Sequence, residues 1–205
     1  MKHFGKERSD MENVWRHLPN VITLIRLLLL APLTWLLIVE DYVAAFVIFV
    51  IAGISDGLDG FLARRYGWTS RFGATLDPAA DKLLVTLTYG VLTWHGHLSW
   101  WLFVIVFGRD ILIVIGYFAY LFFIGTPKMQ PLIISKINTA CQILLVSFVM
   151  MRLGTGIGWA IVELWGQWIV GTLGVVSGAA YVWVWGRRAR LAKTHVDRLR
   201  ESNDG

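Results

Sequence analysis

Apolar runs long enough to cross a bilayer follow one another along most of this chain, separated by short polar turns. The first covers residues 21–39, with Arg26 near its start and Pro32 inside it, where a kink is expected. After Glu40-Asp41 a second run begins at Tyr42. Its uncharged part ends at Ser55, so it reaches spanning length only if the helix continues through Asp56 and Asp59 to about Arg65. Further helices are expected over about 73–94, 100–124, 131–151 and 167–185. At about 1.5 Å per residue, roughly 20 residues cross a hydrocarbon core of about 30 Å. The pattern therefore predicts an all-α polytopic membrane protein, a bundle of six transmembrane helices. Residues 1–20 are polar and basic, with Val14, Trp15 and Leu18 forming a short apolar face before Pro19, as in an amphipathic interfacial helix. The expected division is a cytoplasmic interfacial segment at 1–20, a six-helix transmembrane domain at 21–186 and a basic cytoplasmic tail at 187–205.

Composition agrees with this. The chain has 205 residues, of which 56% are hydrophobic and only 16% charged, where a soluble domain carries about a quarter charged. The net charge of +5 gathers at the two ends and in short loops, which suits anionic lipid headgroups and argues against nucleic acid as a partner. Cys141 is alone, so no intramolecular disulfide can form. No signal peptide is expected, because Met1 to Asn13 lacks both the apolar stretch and the small-residue cleavage site. Lysines and arginines precede the first span, connect the second to the third, flank the fourth-to-fifth loop and follow the sixth. By the positive-inside rule both termini face the cytoplasm.

Four carboxylates stand inside or beside these apolar runs, where they are costly enough to imply a purpose. Asp56 and Asp59 are three residues apart and Asp77 and Asp81 four, so each pair shares a helix face. A short turn between the second and third helices would bring both pairs to one membrane face, the cytoplasmic one. Such a cluster would repel itself and protonate unless divalent cations held it together, and its oxygen donors suit Mg²⁺ or Mn²⁺. Helix termini at the water interface could account for Asp77 and Asp81 through the helix dipole. They do not account for Asp56 and Asp59 towards a helix C-terminus.

The full pattern is Asp56-x-x-Asp59-Gly60-x-x-Ala63-Arg64, eight residues, Gly73-x-x-x-Asp77-x-x-x-Asp81. It resembles the signature of the CDP-alcohol phosphotransferases, integral membrane enzymes of phospholipid synthesis, at every signature position. The resemblance implies that Asp56, Asp59, Asp77 and Asp81 bind metal, as two Mg²⁺ or Mn²⁺ ions, with Asp81 also the general base. It implies that Gly60, Ala63 and Gly73 let the nucleotide approach backbone, and that Arg64 holds a phosphate or orients an aspartate. The Asn20-x-x-Thr23-x-x-Arg26 stripe matches the family's Pro-Asn-x-x-Thr openings and implies that Asn20 and Thr23 contact the CDP moiety. The other reading is an N-cap at Asn20 and a snorkelling Arg26.

Arg109 and Asp110 interrupt the fourth span near its middle. As neighbours they diverge by about 100° and are not expected to pair neatly on one face. Arg109 is expected to face a polar cavity and hold an acceptor phosphate or a motif aspartate, and Lys136 in Ser135-Lys136-Ile137-Asn138-Thr139 to hold an acceptor phosphate. A structural interhelical ion pair for Arg109 and interfacial snorkelling for Lys136 remain as alternatives. The resemblance points to the branch holding cardiolipin synthases and phosphatidylglycerophosphate synthases. It implies CDP-diacylglycerol as donor and phosphatidylglycerol as acceptor, giving cardiolipin and CMP, with glycerol 3-phosphate as the alternative acceptor. It also implies a homodimer, and a bacterial inner (cytoplasmic) membrane is the expected location. A cation transporter is a remote alternative, since intramembrane carboxylates also mark ion paths, but no internal repeat is visible. Gly171, Gly174 and Gly178 are expected to allow close helix contact, and Gly154-Thr155-Gly156-Ile157-Gly158 to form an external turn.

Overall fold

The computed structural model describes the backbone of residues 24–66, 73–123 and 132–203, and the side chains of 24–55, 82–119, 121, 122 and 132–187. Among the described residues six helices follow one another: α1 (Leu24–Ile38), α2 (Tyr42–Tyr66), α3 (Gly73–Trp94), α4 (Trp100–Phe123), α5 (Ile133–Thr155) and α6 (Ala160–Asn203). The expected interfacial helix at 1–20 lies outside the described residues.

Local chemistry sets the helix ends. Asp41 caps α2, its Oδ1 accepting the Ala44 N–H at 3.1 Å. Before it, Glu40 takes the left-handed conformation (φ 62°) that turns the chain out of α1. The fifth helix was expected to stop near Met151, but α5 continues to Thr155 because the glycine that ends it comes only then. Gly156 adopts φ +72° and its N–H bonds to the Arg152 carbonyl at 2.9 Å, with Gly158 (φ +132°) completing the turn. The sixth helix was expected over 167–185. Instead α6 begins at Ala160, with Glu163 in its dipole-favoured first turn, and runs to Asn203. The sequence after Arg187 is rich in Ala, Leu, Lys, Arg and Glu, good helix formers with no proline among them, so nothing stops the helix at the membrane boundary.

Among the described residues three helical stretches are long and apolar enough to cross a membrane by length and composition: Trp100–Ala119, Ile133–Thr155 and Ala160–Arg187. Leu24–Ile38 and Tyr42–Ser55 are apolar but shorter. The apolar part of α2 stops at Ser55 while the helix itself continues through the first aspartates, as the pattern predicted. Large apolar side chains stand exposed around the chain, among them Trp35, Val104, Ile115, Phe118, Phe122 and Leu144, far more than water tolerates. The chain is an integral membrane protein.

The chain divides into two compact units. One holds α1, α2, α3 and the second half of α5. Its buried positions recur at helical spacing: Leu30, Leu33 and Leu37 on α1, then Tyr42, Ala45, Phe49 and Ala52 on α2. The start of α2 is tied to the turn after α3 by Tyr42 Oη and His97 Nε2 at 2.8 Å and by Glu40 and His95 at 3.3 Å. Helices α2 and α3 also touch. Since α2 starts where α3 ends, the two run antiparallel.

The other unit holds α4, the first half of α5 and α6. A row of α6 glycines meets α4 side chains: Gly171 faces the Trp101 ring, Gly174 faces Ile105 and Gly178 the stem of Arg109. Further along, Gly116 of α4 receives the Trp185 ring of α6. Residue numbers rise together along this seam, so α4 and α6 run parallel. The α6 side chain of Gln167 also accepts the Ser99 N–H at 3.0 Å, just before α4 begins. The close contact expected of Gly171, Gly174 and Gly178 is thus present, and without a hydrophobic drive between helices in lipid it is packing that must hold the seam.

A side chain at Gly116 would overlap the Trp185 six-membered ring. Gly116→Leu should therefore lower stability by about 1–3 kcal/mol, read as a lower midpoint of thermal unfolding in detergent. Adding Trp185→Ala should recover part of the loss; equal midpoints for the single variant and the parent would contradict the seam.

Candidate functional site

Two helix ends carry the aspartates. Asp56 and Asp59 lie three residues apart on α2, and Gly60, Ala63 and Arg64 follow before that helix ends at Tyr66. Gly73 opens α3, and Asp77 and Asp81 follow four residues apart. The staples at Tyr42 and Glu40 tie the start of α2 to the turn after α3, so the aspartates sit on the ends of the antiparallel pair away from those staples. The backbone thus gives both pairs the helical spacing that the motif requires. The side chains of 56–81, and Asn20 and Thr23 entirely, lie outside the described residues. Among the described residues no group of three or more His, Cys, Asp or Glu could hold a metal ion.

Arg26 is described, and it is fully buried in the first unit. A guanidinium at zero exposure is not snorkelling to an interface, so that reading is overturned. A charge so placed is held by the protein around it.

The second unit contains a separate polar cluster in the middle of α4. Arg109 is 7% exposed. Its stem passes over Gly178, where the missing side chain leaves room, and its Nη2 donates to Ser177 Oγ on α6 at 3.2 Å and to Ser135 Oγ on α5. Its Nη1 donates to Asp110 Oδ1 at 2.5 Å. The expectation that Arg109 and Asp110 would not pair is therefore wrong. Their Cα–Cβ bonds do diverge around the helix, but the Arg stem is long enough to fold back, and in a low-dielectric surrounding the pairing outweighs the strain of folding. Arg109 Nε is buried and has no partner among the described residues. Lys136, next to Ser135 on α5, is exposed.

Three members of this neighbourhood were not singled out from sequence. Ser177 could have been found as a hydroxyl inside the apolar run of α6, and Ser135 and Asn138 as polar positions three apart on α5. Asn138 is completely buried, and among the described residues neither its Oδ1 nor its Nδ2 has a hydrogen-bond partner. A buried amide in that state is costly unless something polar reaches it.

The sequence profile of the CDP-alcohol phosphatidyltransferases matches residues 16–178, most of the chain and all of the aspartate motif. The chain belongs to the CDP-alcohol phosphatidyltransferase family. Among similar proteins, cardiolipin synthase (CMP-forming) of Rattus norvegicus is 32% identical over 155 residues, 68% of this chain and 51% of that protein. The Homo sapiens protein of the same name is 33% identical over the same shares. CDP-diacylglycerol–glycerol-3-phosphate 3-phosphatidyltransferase of Escherichia coli K12 is 42% identical over 93 residues, 42% of this chain and 48% of that protein. The chain spans about half the length of the curated relatives it matches.

Two substitutions separate structural from open valences in the polar cluster. Asp110→Ala strands the Arg109 charge and should cost about 3–5 kcal/mol, seen as a marked drop in unfolding midpoint, with Asp110→Asn milder. Asn138→Leu removes two unsatisfied atoms at similar volume and should raise the midpoint, by about 1 kcal/mol of stability; a lower midpoint would show that the amide is already satisfied.

Proposed function

We propose that this chain is a CMP-forming cardiolipin synthase, moving the phosphatidyl group of CDP-diacylglycerol to a hydroxyl of phosphatidylglycerol. The observation that carries the reading is the complete eight-position motif on two antiparallel helices, in a chain whose similar proteins include two cardiolipin synthases matched over 68% of its length.

Asp56, Asp59, Asp77 and Asp81 would hold divalent metal, Mg²⁺ or Mn²⁺ and two ions by the family's pattern. Four carboxylates at helical spacing supply hard oxygen donors in the number such ions take, so the residues fit the group. When bound, the metal neutralises the diphosphate and stabilises CMP as it leaves. Asp81 takes the proton of the attacking hydroxyl, whose oxygen forms a bond to the phosphatidyl phosphorus as the bond from that phosphorus to the CMP oxygen breaks. Gly60, Ala63 and Gly73 leave space for nucleotide against backbone, Asn20, Thr23 and Arg64 contact the CDP moiety, and Arg109 and Lys136 serve the acceptor phosphate. Residues 21–186 form the catalytic membrane domain, with the interfacial segment before it and the basic tail after it. The aspartates and both termini face the cytoplasm, in a bacterial inner membrane, and the protein works as a homodimer.

Phosphatidylglycerophosphate synthesis from glycerol 3-phosphate is the second reading, favoured by the 42% identity to the Escherichia coli enzyme over the shorter stretch. Cation transport has no support from the family to which the chain belongs.

Purified protein given labelled CDP-diacylglycerol should release CMP and form cardiolipin with phosphatidylglycerol, and turn over little with glycerol 3-phosphate. The reverse preference would transfer the assignment to the second reading. Asp56→Asn, Asp59→Asn and Asp77→Asn should each reduce turnover by two orders of magnitude or more, and Asp81→Asn nearly as much, at unchanged expression. Full CMP release in excess chelator would remove the metal from the mechanism.

A further inference from the structure

Beside the glycine seam, α4 and α6 leave a cavity of about 1030 Å³ whose walls are Val104, Ile105, Gly108 and Leu112 on one side and Val175, Ala179, Val182 and Trp183 on the other. Side chains added at Gly108 or Gly186 would meet nothing within 4 Å, so glycines help keep it open. Val104, Val175, Val182 and Trp183 are each more than half exposed along its rim. The cavity is thus a trough opening outwards. Only Arg109 and Arg187 interrupt its apolar lining, and Arg109 is already engaged by Asp110, Ser135 and Ser177. Arg187 is exposed and is the last residue of the apolar stretch Ala160–Arg187, at the boundary between hydrocarbon and headgroups.

We propose that this trough binds one anionic phospholipid of the surrounding bilayer, an acyl chain lying along α4 and α6 and the phosphate meeting Arg187. Length supports this occupant. From Gly174 to Arg187 the α6 wall extends about 20 Å, about a third more than one leaflet of a core of about 30 Å, so a chain entering at the interface is covered along its depth. Charge supports it too. A second copy of this chain could cover the apolar walls, but would need an acidic group at the height of Arg187, which an anionic headgroup supplies directly. The glycines that would best admit another helix, Gly171 and Gly174, are already filled by Trp101 and Ile105.

The full chain, purified in mild detergent and equilibrated with phosphatidylglycerol or phosphatidylcholine, is examined by native mass spectrometry for retained lipid and oligomeric state. The parent should retain one phosphatidylglycerol more than it retains phosphatidylcholine, by about fivefold for one interfacial charge. Ala179→Trp, or Val175→Trp if the first variant does not fold, fills the trough and should remove that lipid whatever its headgroup. Arg187→Gln should keep a lipid and lose the preference. Retention unchanged in both filled variants, preference unchanged in Arg187→Gln, or a shift in oligomeric state with the lipid count intact would each overturn the proposal. Because phosphatidylglycerol is also the proposed acceptor, lipid held at the aspartate helices should survive the trough-filling variants, and only the lipid that they remove counts for the trough.

Discussion

A charge in hydrocarbon must be paired, hydrated or removed, and that constraint shapes each unit of this chain. In α2 the apolar stretch ends at Ser55 and the helix then carries its aspartates onward, so the second helix is membrane-like only in its first part. In α4 the constraint is met differently. Arg109 lies at the middle of a helix with the highest apolar content of the chain, and it is retained by folding back on Asp110 while reaching Ser135 and Ser177. The three hydrogen-bonded partners come from three helices, so a single guanidinium ties α4, α5 and α6 together within one unit. Replacing a buried pair by apolar residues is often neutral, whereas removing one partner is not. The cluster therefore fixes which faces of these helices meet more than it adds to the depth of the fold.

Packing supplies what the hydrophobic effect cannot, since lipid tails are as apolar as the side chains they would replace. The parallel contact of α4 with α6 shows how. Trp101, Ile105 and Arg109 descend α4 at helical spacing and meet Gly171, Gly174 and Gly178 in turn. Where the polarity of the contact reverses, at Gly116, the large residue comes from α6. The same glycines that permit the seam also leave the adjoining trough, because a row of absent side chains is filled only where a partner's side chain reaches it. In the other unit the interactions at the helix ends are polar: a tyrosine and a glutamate, two residues apart, engage the two histidines after α3.

Much of this was readable from the residues alone. The bounds of α2 and α3 and the start of α4 follow from alternating apolar runs and turns, since the period and the length are local properties. The spacing of the four aspartates was local too. What sequence could not supply depended on distance along the chain or on the reach of a side chain. Tyr42 and His97 are 55 residues apart, and Arg109 and Ser177 68. The pairing of Arg109 with Asp110 was misjudged because Cβ directions were used for a residue whose charge lies several bonds further on. The overrun of α6 was misjudged because hydropathy marks where a span ends, and a helix ends only where its backbone is capped or broken. Arg26 was open between two readings until its burial decided against the interface.

The pairing of Arg109 bears on the acceptor. An arginine held by a carboxylate at 2.5 Å presents little net charge to a ligand, so an acceptor phosphate would draw on it by displacing Asp110 or by taking the buried Nε–H, which has no partner among the described residues. A phosphomonoester such as glycerol 3-phosphate, with up to two charges, loses most when deprived of that cation. A phosphodiester carries one charge; both acceptors bring two glycerol hydroxyls, groups that a neutral amide can serve. Asn138, buried with both amide atoms open and three residues from Ser135, offers such a neutral partner. On the proposed assignment of Arg109 to the acceptor phosphate, a cluster whose cation is already paired with Asp110 suits one ligand charge better than two.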